Sequence, residues 1–286
     1  MKRSWWLLVL ALLAGLLGPV PSAVALAPRP LADPAAAGTI PIVGASNFRD
    51  VAGDGLALRG GGQMATGVVY RSSKLSGLTA DDVAALEAAG ITAILDLRTP
   101  RVAAGSPDVP VPGAEYVLMD LFAGRSLSTS GLRTAAQARA HMREMNRRFV
   151  TVAAQRRALA RVLRAIIAAD GPVVIHCTHG KDRTGWVSAM LQVVAGVPTD
   201  TIVEQYLLSN TYRAAEIQRK VDAARAASGS RRAGVVKELE RLRASYLEAG
   251  LATARHRYGS VHRYLTRGVG LSADELAALR ARLVVG

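Results

Sequence analysis

Cysteine is nearly absent from the chain, whose 286 residues contain one, Cys177. A single thiol cannot form a disulfide bond within the chain, and it cannot supply the clustered thiolates of a structural zinc site. The five histidines are scattered, apart from two that flank Cys177. We therefore expect no metal site and no bound cofactor.

Aromatic and acidic residues are also scarce. Aromatics make up 5% of the chain, and 36 lysines and arginines outnumber 22 aspartates and glutamates, for a formal net charge of +14. Because no basic stretch interleaves with aromatic side chains, nucleic acid is not an expected partner. The charge fits attraction to anionic substrates or an anionic membrane surface, and fits equally well arginines spread over solvated helix faces.

Residues 1–25 have the order of a secretory signal peptide. Lys2 and Arg3 precede an apolar stretch from Trp5 to Leu17, and small residues follow up to Ala25. The apolar stretch is short for a bilayer-spanning helix of about 20 residues, which favours cleavage after Ala25 and secretion over an uncleaved membrane anchor. Residues 26–38 are predicted to be a flexible lead-in, and residues 39–286 a single domain.

The most informative segment runs from His176 to Gly185 and reads His-Cys-Thr-His-Gly-Lys-Asp-Arg-Thr-Gly. Cys177 follows an apolar run, Val173–Ile175, and precedes Arg183, where a helical pattern begins. A buried strand, a short loop and a helix N-terminus direct several backbone amides at one point, which suits an oxyanion. The same field favours the thiolate of Cys177 over its thiol.

A nucleophilic cysteine must be ionised, and the pKa of a free cysteine is about 8.5. Lowering that pKa to about 5.5 takes roughly 4 kcal/mol, whereas a helix N-terminus contributes at most ~2 kcal/mol. The remainder must come from the loop amides, from Arg183 and from neighbours such as His176. The planar guanidinium of Arg183 also suits two phosphoryl oxygens during in-line attack. The other candidate phosphate ligands follow or flank the cysteine: Thr178, His179, Gly180, Lys181 and Thr184.

This loop resembles the His-Cys-x5-Arg-Thr/Ser signature of cysteine-dependent phosphatases. Its Gly-Lys-Asp-Arg-Thr-Gly ending is similar to that of the bacterial secreted tyrosine, dual-specificity and lipid phosphatases typified by mycobacterial protein tyrosine phosphatase B. His179 stands where that family has a small residue, which leaves the substrate less well defined than the reaction. Weaker, collinear segments extend the resemblance over about residues 39–286: Asn47–Gly53, Tyr70–Ser73, Leu95–Thr99, Tyr206–Asn210, Tyr258–Val261 and Leu271–Ser272.

The leaving group of such a reaction needs a proton, and the usual donor segment is missing. No aspartate lies between Leu121 and Ala169, and the three tryptophans, at positions 5, 6 and 186, exclude a Trp-Pro-Asp loop. Asp182 is therefore our first candidate, as the resemblance also implies; its alternative role is a structural acceptor for loop amides or Arg183. Asp96 and Asp120 are further candidates, because predicted strands end there and ligands bind at the carboxyl edge of such sheets.

Lys181 adds a second cation to the loop. It suits a phosphoprotein or an inositol ring with several phosphates, as the loop lysine of phosphoinositide 3-phosphatases implies, and it suits plain support of one phosphate equally well. Arg71 and Arg98 rank lower, because each would either widen the anion site or serve as an ordinary ion partner.

Predicted strands alternate with predicted helices. Strands are expected near 40–43, 55–58, 68–70, 91–97, 116–119 and 173–175, and helices between 79 and 90, over 132–169 in two pieces, and over 183–195. This alternation predicts an α/β domain with a mostly parallel central sheet flanked by helices. From Thr199 onward only helices are predicted. Residues 213–250 either pack against the sheet or, by resemblance, form a helical lid over the site.

These patterns predict a secreted, metal-independent protein-tyrosine phosphatase that works through a phosphocysteine intermediate. The resemblance implies phosphoserine, phosphothreonine and phosphoinositides as further substrates. A catalytically silent module that binds phosphoproteins or phosphoinositides is the alternative, which the intact Cys, Arg and Thr of the loop disfavour. A sulfur- or arsenate-handling enzyme is disfavoured by the loop length and the lack of a second cysteine. The oligomeric state is left open.

Overall fold

A computed structural model describes residues 40–285 of the chain. The predicted signal peptide, its alternative as a membrane anchor, and the predicted lead-in lie outside the described residues. Within them, no helix combines the length and the apolarity needed to cross a membrane.

The strands form one five-stranded sheet and one small two-stranded sheet. In the larger sheet the order is β1-β3-β6-β4-β5, with β1 antiparallel to β3 and all other pairs parallel. The predicted mostly parallel sheet is thus confirmed. In the smaller sheet β2 pairs with β7. The strands are β1 (Arg49–Asp50), β2 (Gln63–Met64), β3 (Val69–Ser72), β4 (Ala93–Asp96), β5 (Glu115–Leu118), β6 (Val173–His176) and β7 (Val284–Val285).

Helices surround this sheet and make up most of the carboxyl-terminal half. The last of them is preceded by a π-helical segment, Tyr264–Val269. The helices are α1 (Ala80–Ala88), α2 (Pro100–Ala104), α3 (Ala135–Thr151), α4 (Ala153–Ala168), α5 (Asp182–Ala195), α6 (Thr199–Leu207), α7 (Ser209–Tyr212), α8 (Ala214–Glu240), α9 (Ala244–Tyr258), α10 (Val261–Arg263) and α11 (Ala273–Leu283).

Local sequence signals set several of these boundaries. Thr79 caps α1 through a capping box with Asp82, at the start of the helix predicted between residues 79 and 90. Val152, in an extended conformation, divides the long helical stretch into α3 and α4. Gly196, with φ 100°, ends α5 in the left-handed conformation that glycine adopts without a steric penalty.

Two predicted elements differ from the structure. Residues 40–43 form no strand, and the stretch 55–58 contributes only a single bridge between Ala57 and Gln63. The carboxyl terminus is not wholly helical, because Val284 and Val285 pair with Met64 and Gln63. Runs of two residues carry no recognisable alternation, so these short strands are defined only by their tertiary partners.

The sheet is buried on both faces, and β6 lies at its centre. Val173 and Ile175 pack into the larger hydrophobic core with helices α3, α4, α5 and α9, whereas Val174 packs into a second core on the opposite face with Leu86 of α1. All four residues of β6 are buried. The strand therefore provides a rigid support for whatever follows its carboxyl end.

Helix α8 is a hairpin of two helical segments. Gly229, with φ 75° and ψ 178°, breaks the helix, and Glu240 near its end contacts both Arg213 and Lys220 near its start. A small apolar cluster of Ile217, Val221 and Ala233 joins the two arms. We refer to residues 213–240 as the hairpin; they cover most of the segment for which a lid was predicted.

Candidate active site

The loop that follows β6 is fixed by glycine and by the neighbouring strand. Gly180 has φ +64°, and a Cβ atom at this position would lie 2.8 Å from the Ser73 backbone nitrogen and closer still to the Ser72 carbonyl. Only glycine fits this close approach to the end of β3. The loop thus leaves β6 at Cys177, turns at Gly180 and enters α5 at Asp182.

Cys177 lies at the floor of this loop with 2% of its surface exposed. Burial alone would raise the pKa of its thiol. The charge of Arg183 and the polar hydroxyl and amide of Thr184 outweigh burial and the opposing charge of Asp182, and they lower the pKa of the thiol to about 7. Roughly half of the thiol is therefore ionised at neutral pH, as nucleophilic attack requires.

Arg183 is held at the mouth of the loop by three contacts. Its guanidinium donates from Nη1 to the Leu97 carbonyl at 3.2 Å and from Nη2 to Thr178 Oγ1 at 3.1 Å. It also lies over the Phe122 ring, 4.7 Å from the centroid. The side chain is thus oriented before any phosphate binds, and it loses little conformational freedom on binding.

Asp120 positions that aromatic ring. Its two carboxylate oxygens accept hydrogen bonds from the backbone amides of Phe122, at 2.9 Å, and Gly124, at 2.8 Å. Phe122 in turn stacks on Phe149, with 6.0 Å between ring centroids. The structure therefore places Asp120 in a loop that supports Arg183.

Lys181 and Asp182 form an ion pair at the start of α5. Lys181 Nζ lies 2.8 Å from Asp182 Oδ2, and Lys181 is 3% exposed. The other carboxylate oxygen, Asp182 Oδ1, is buried and has no hydrogen-bond partner among the described residues. A buried polar atom without a partner is uncommon in proteins and often belongs to a functional group.

A buried charge network lies behind Cys177, at the carboxyl end of β4. Asp96, fully buried, accepts hydrogen bonds from Arg98 and from Tyr116 Oη at 2.7 Å. Arg98 Nη2 also contacts Asp108 Oδ2 at 2.7 Å, and His176 Nε2 lies 3.1 Å from that same oxygen. Burial would raise the pKa of Asp96, but Arg98 and its other partners lower it. Asp96 and Arg98 therefore act on the loop through His176, away from its mouth.

His179 joins the loop to the hairpin. Its Nε2 lies 2.8 Å from Lys220 Nζ, and this ammonium also contacts Glu216 at 3.0 Å and Glu240 at 3.1 Å. Burial, with help from nearby cations, lowers the pKa of His179 to about 4. The imidazole is thus neutral at neutral pH and accepts a hydrogen bond from Lys220. The predicted lid segment is in direct contact with the loop.

The fold brings together two groups, each of one histidine and two carboxylates, whose members are far apart in the sequence. They are Asp96, Asp108 and His176, and His179, Glu216 and Glu240. Each group already surrounds a cation of the chain itself. Arg98 contacts both carboxylates of the first group, and Lys220 contacts all three residues of the second.

The back of the loop rests on residues that site prediction did not select or ranked low. Asn47, itself at φ 64°, donates from Nδ2 to the Gly180 carbonyl at 2.8 Å, and Arg71 Nη2 donates to the same oxygen at 2.8 Å. Arg49 donates to Asn47 and to Ser209 Oγ. A sequence signal existed for Arg71, because it directly continues the apolar run Val68–Tyr70, where a charged residue must be buried.

The predicted loop residues thus converge, whereas the second-rank residues surround them. Arg183 and Thr184 act on the Cys177 thiol, Thr178 accepts a hydrogen bond from Arg183, and Lys181 and Asp182 form an ion pair in the same loop. Asp108 and Phe122 complete the surroundings, and no spacing in the sequence marked either of them. Their contacts to His176 and Arg183 exist only after the chain has folded.

A thiol and a guanidinium at the two ends of one loop, carried by the middle strand of a parallel sheet, define a cysteine-dependent phosphatase. Comparison with known proteins agrees. The profile of the tyrosine phosphatase family matches residues 40–285, and the chain belongs to that family.

Named relatives extend over nearly the whole chain. The chain is 33% identical over 277 residues to the triple specificity protein phosphatase PtpB of Mycobacterium tuberculosis, which covers 84% of this chain and 97% of that protein. It is 31% identical over 307 residues to a tyrosine-protein phosphatase of Nostoc commune, with 99% of each covered. The crystal structure of P. aeruginosa TpbA matches with a TM-score of 0.31 and 21% identity over 50% of this chain and 69% of that one.

Proposed function

We propose that Cys177 attacks the phosphorus of a phosphotyrosine side chain and that the phosphoryl group passes through a phosphocysteine intermediate. The sulfur–phosphorus bond forms as the bond to the leaving oxygen breaks, and water then hydrolyses the intermediate to phosphate. Arg183 and the loop amides of residues 178–183 hold the phosphoryl oxygens. Thr184 assists departure of the thiolate. The observation that carries this proposal is the buried thiol with a pKa of about 7 beside Arg183.

Asp182 is proposed as the general acid. Its Oδ1 is buried and has no hydrogen-bond partner within residues 40–285, and its position at the start of α5 places it within the loop that follows Cys177. Such a group contributes typically 10²–10⁴-fold. We expect Asp182→Asn to lower kcat by about 10²-fold for phosphotyrosine peptides, whose leaving group is basic. The loss should be small for an aryl phosphate with an electron-poor leaving group, which needs no proton.

The pH–rate profiles of the wild type and Asp182→Asn with both substrates measure this role. Asp182→Glu is the matched variant, because it keeps a carboxyl group and should recover part of the activity. An equal loss with good and poor leaving groups would contradict the assignment and would favour a structural role for the carboxylate.

We propose a substrate range beyond phosphotyrosine that includes phosphoserine, phosphothreonine and phosphoinositides. Two observations support it: Lys181 provides a second cation in the same loop as Arg183, where it pairs with Asp182, and one relative is described as a triple specificity phosphatase. A panel of matched phosphopeptides and soluble phosphoinositides, assayed in the presence of a chelator, tests the range. Activity restricted to phosphotyrosine would reject the wider range, and loss of activity with chelation would reject a metal-independent mechanism.

A catalytically silent binding module is the second candidate, and the findings do not favour it. A pure phosphate binder gains nothing from a thiol whose pKa is lowered by its surroundings. Rapid mixing with p-nitrophenyl phosphate separates the two functions. A burst of one p-nitrophenolate per enzyme, followed by steady turnover, is expected of the phosphatase, whereas binding without release is expected of the module.

We further propose that the protein is secreted after cleavage of residues 1–25 and that residues 39–286 form the catalytic domain. Cleavage removes Lys2 and Arg3 and lowers the formal net charge from +14 to +12, which still supports contact with an anionic membrane surface. The hairpin supports it as well, because Arg231 and Arg232 at its tip line an open groove of about 520 Å³ with Arg133. Amino-terminal sequencing of exported protein should begin at Leu26. Sedimentation with vesicles that contain anionic lipid, compared with neutral vesicles, measures the surface contact.

A further inference from the structure

Arg49 and Arg71 are two buried cations that face each other. They are partners in the antiparallel register of β1 and β3, and they are 5% and 2% exposed. The charged or titratable groups that act on Arg71 are Cys177, Tyr206 and Tyr212, and those that act on Arg49 are Arg71 and Tyr212. No carboxylate of residues 40–285 is among them. This absence is unusual for buried arginines, which are normally paired.

Two buried arginines opposite each other are expected to destabilise the folded protein. Like charges directly opposite each other in a sheet are destabilising, and a buried charge without a partner is more so. Burial lowers the pKa of Arg71 to about 10, and burial together with the charge of Arg71 lowers the pKa of Arg49 well below its usual value. Proteins retain such conflicts mainly at functional sites.

The position of the Arg71 guanidinium indicates which group offsets its buried positive charge. Its Nη2 donates to the Gly180 carbonyl at 2.8 Å, and a Cβ atom on Gly185 would lie 3.6 Å from the same nitrogen. The guanidinium thus lies between the turn of the phosphate loop and the first turn of α5. Its Nε is buried and has no hydrogen-bond partner among the described residues. Among the groups that act on Arg71, the thiolate of Cys177 does most to offset the effect of burial on its pKa.

We propose that Arg71, supported by Arg49, is a positioning residue of the phosphate loop. It holds the Gly180 carbonyl away from the anion, and its charge is balanced by the thiolate of Cys177 in the free enzyme and by the phosphoryl group during turnover. This role rests on the proposed function, because it takes Cys177 to be the nucleophile. Arg183 grips the phosphate from the front of the loop, whereas Arg71 supplies charge from behind.

The pKa of the Cys177 thiol tests this role, and it can be measured without enzymatic turnover. Cys177 is the single cysteine of the chain, so the rate of alkylation of cysteine by iodoacetamide measures the reactivity of this thiol alone. The rate against pH gives the pKa of the thiol. The groups with the largest effects on the thiol pKa are Arg183, Thr184 and Asp182, and all of them are unchanged in variants of Arg71.

Three variants separate charge from structure. Arg71→Gln removes the charge but keeps an amide donor, Arg71→Lys keeps the charge, and Arg161→Met removes a charge from an exposed site on α4. We expect Arg71→Gln to raise the pKa of the thiol by about one, which slows alkylation near pH 6 about tenfold. The thiols of Arg71→Lys and Arg161→Met should be alkylated at rates within about threefold of the wild-type rate at the same pH.

The outcomes are distinct. An unchanged thiol pKa in folded Arg71→Gln, or an equal rise in Arg71→Lys, would overturn the proposal and leave Arg71 a structural residue. If Arg71→Gln does not fold, Arg71→Met takes its place, since it removes the same charge and fills the site with an unbranched apolar side chain, and the same rise is required. A wild-type thiol that alkylates readily while the enzyme turns over no aryl phosphate would refute the proposed function instead.

Discussion

Replacement of Cys177 by serine is expected to lower kcat by roughly 10⁵-fold or more, the scale seen when the nucleophile of a covalent mechanism is removed. A serine hydroxyl is not ionised at neutral pH, and it needs an adjacent base to attack. The arginine and the loop amides that hold the phosphoryl group are untouched by this change.

Steady-state turnover of p-nitrophenyl phosphate measures the first half of this prediction. Stabilisation of the folded protein by inorganic phosphate measures the second half, since a ligand that binds only the folded state raises the melting temperature. Cys177→Ala is the matched control and should behave as the serine variant does. Residual turnover above about one per cent of wild type, or loss of phosphate binding in both variants, would contradict Cys177 as the nucleophile.

The same variant carries a prediction for stability against pH. The thiol has a pKa of about 7 in the folded protein, against about 8.5–9 for a cysteine in an unfolded chain. A group whose pKa is lowered on folding stabilises the protein above its unfolded pKa and loses that effect as pH falls through its folded pKa. The difference in free energy of unfolding between the wild type and Cys177→Ser should therefore increase by about 2–3 kcal/mol, in favour of the wild type, from pH 6 to pH 10. Urea titrations across this range test the gain, and a constant difference would exclude an activated thiol.

The chemistry of the phosphate loop was predictable because it is local in the chain. Cys177, Gly180 and Arg183 occupy one continuous segment, and the buried run before it and the helical pattern after it define strand and helix independently. The capping box of Thr79 and the glycine at the end of α5 were predictable for the same reason. These signals lie within a few residues of the boundary they set.

The support of the loop was not predictable, because it depends on contacts between distant segments. Asn47 and Arg71 reach the Gly180 carbonyl across 133 and 109 positions of sequence. Nothing within their own segments indicates which carbonyl they will meet. The two-residue strands β1, β2 and β7 follow the same rule, since their partners rather than their own residues specify them. A charged residue that continues an apolar run was the one local sign, and it marked Arg71.

Replacement of Arg183 by lysine is expected to lower kcat/KM by about 10³-fold, mostly through kcat. An arginine that stabilises a phosphoryl transition state contributes roughly 10³–10⁵-fold. Lysine keeps the charge but cannot donate a planar pair of hydrogen bonds to two phosphoryl oxygens. It also lacks the flat surface that lies over Phe122, 4.7 Å from the ring centroid. The ammonium is thus less well oriented before substrate binds.

Comparison with Arg183→Met separates the two tasks of this side chain. Arg183 is the first of the groups that lower the pKa of Cys177 to about 7, so methionine should move the thiol pKa upward and slow alkylation at neutral pH. Lysine, with its charge, should leave the thiol pKa near that of the wild type while kcat remains low. A thiol that is ionised but scarcely turns over would show that the guanidinium acts chiefly on the transition state. If instead lysine restores kcat to within tenfold of wild type, charge alone suffices and the fixed geometry of Arg183 is dispensable.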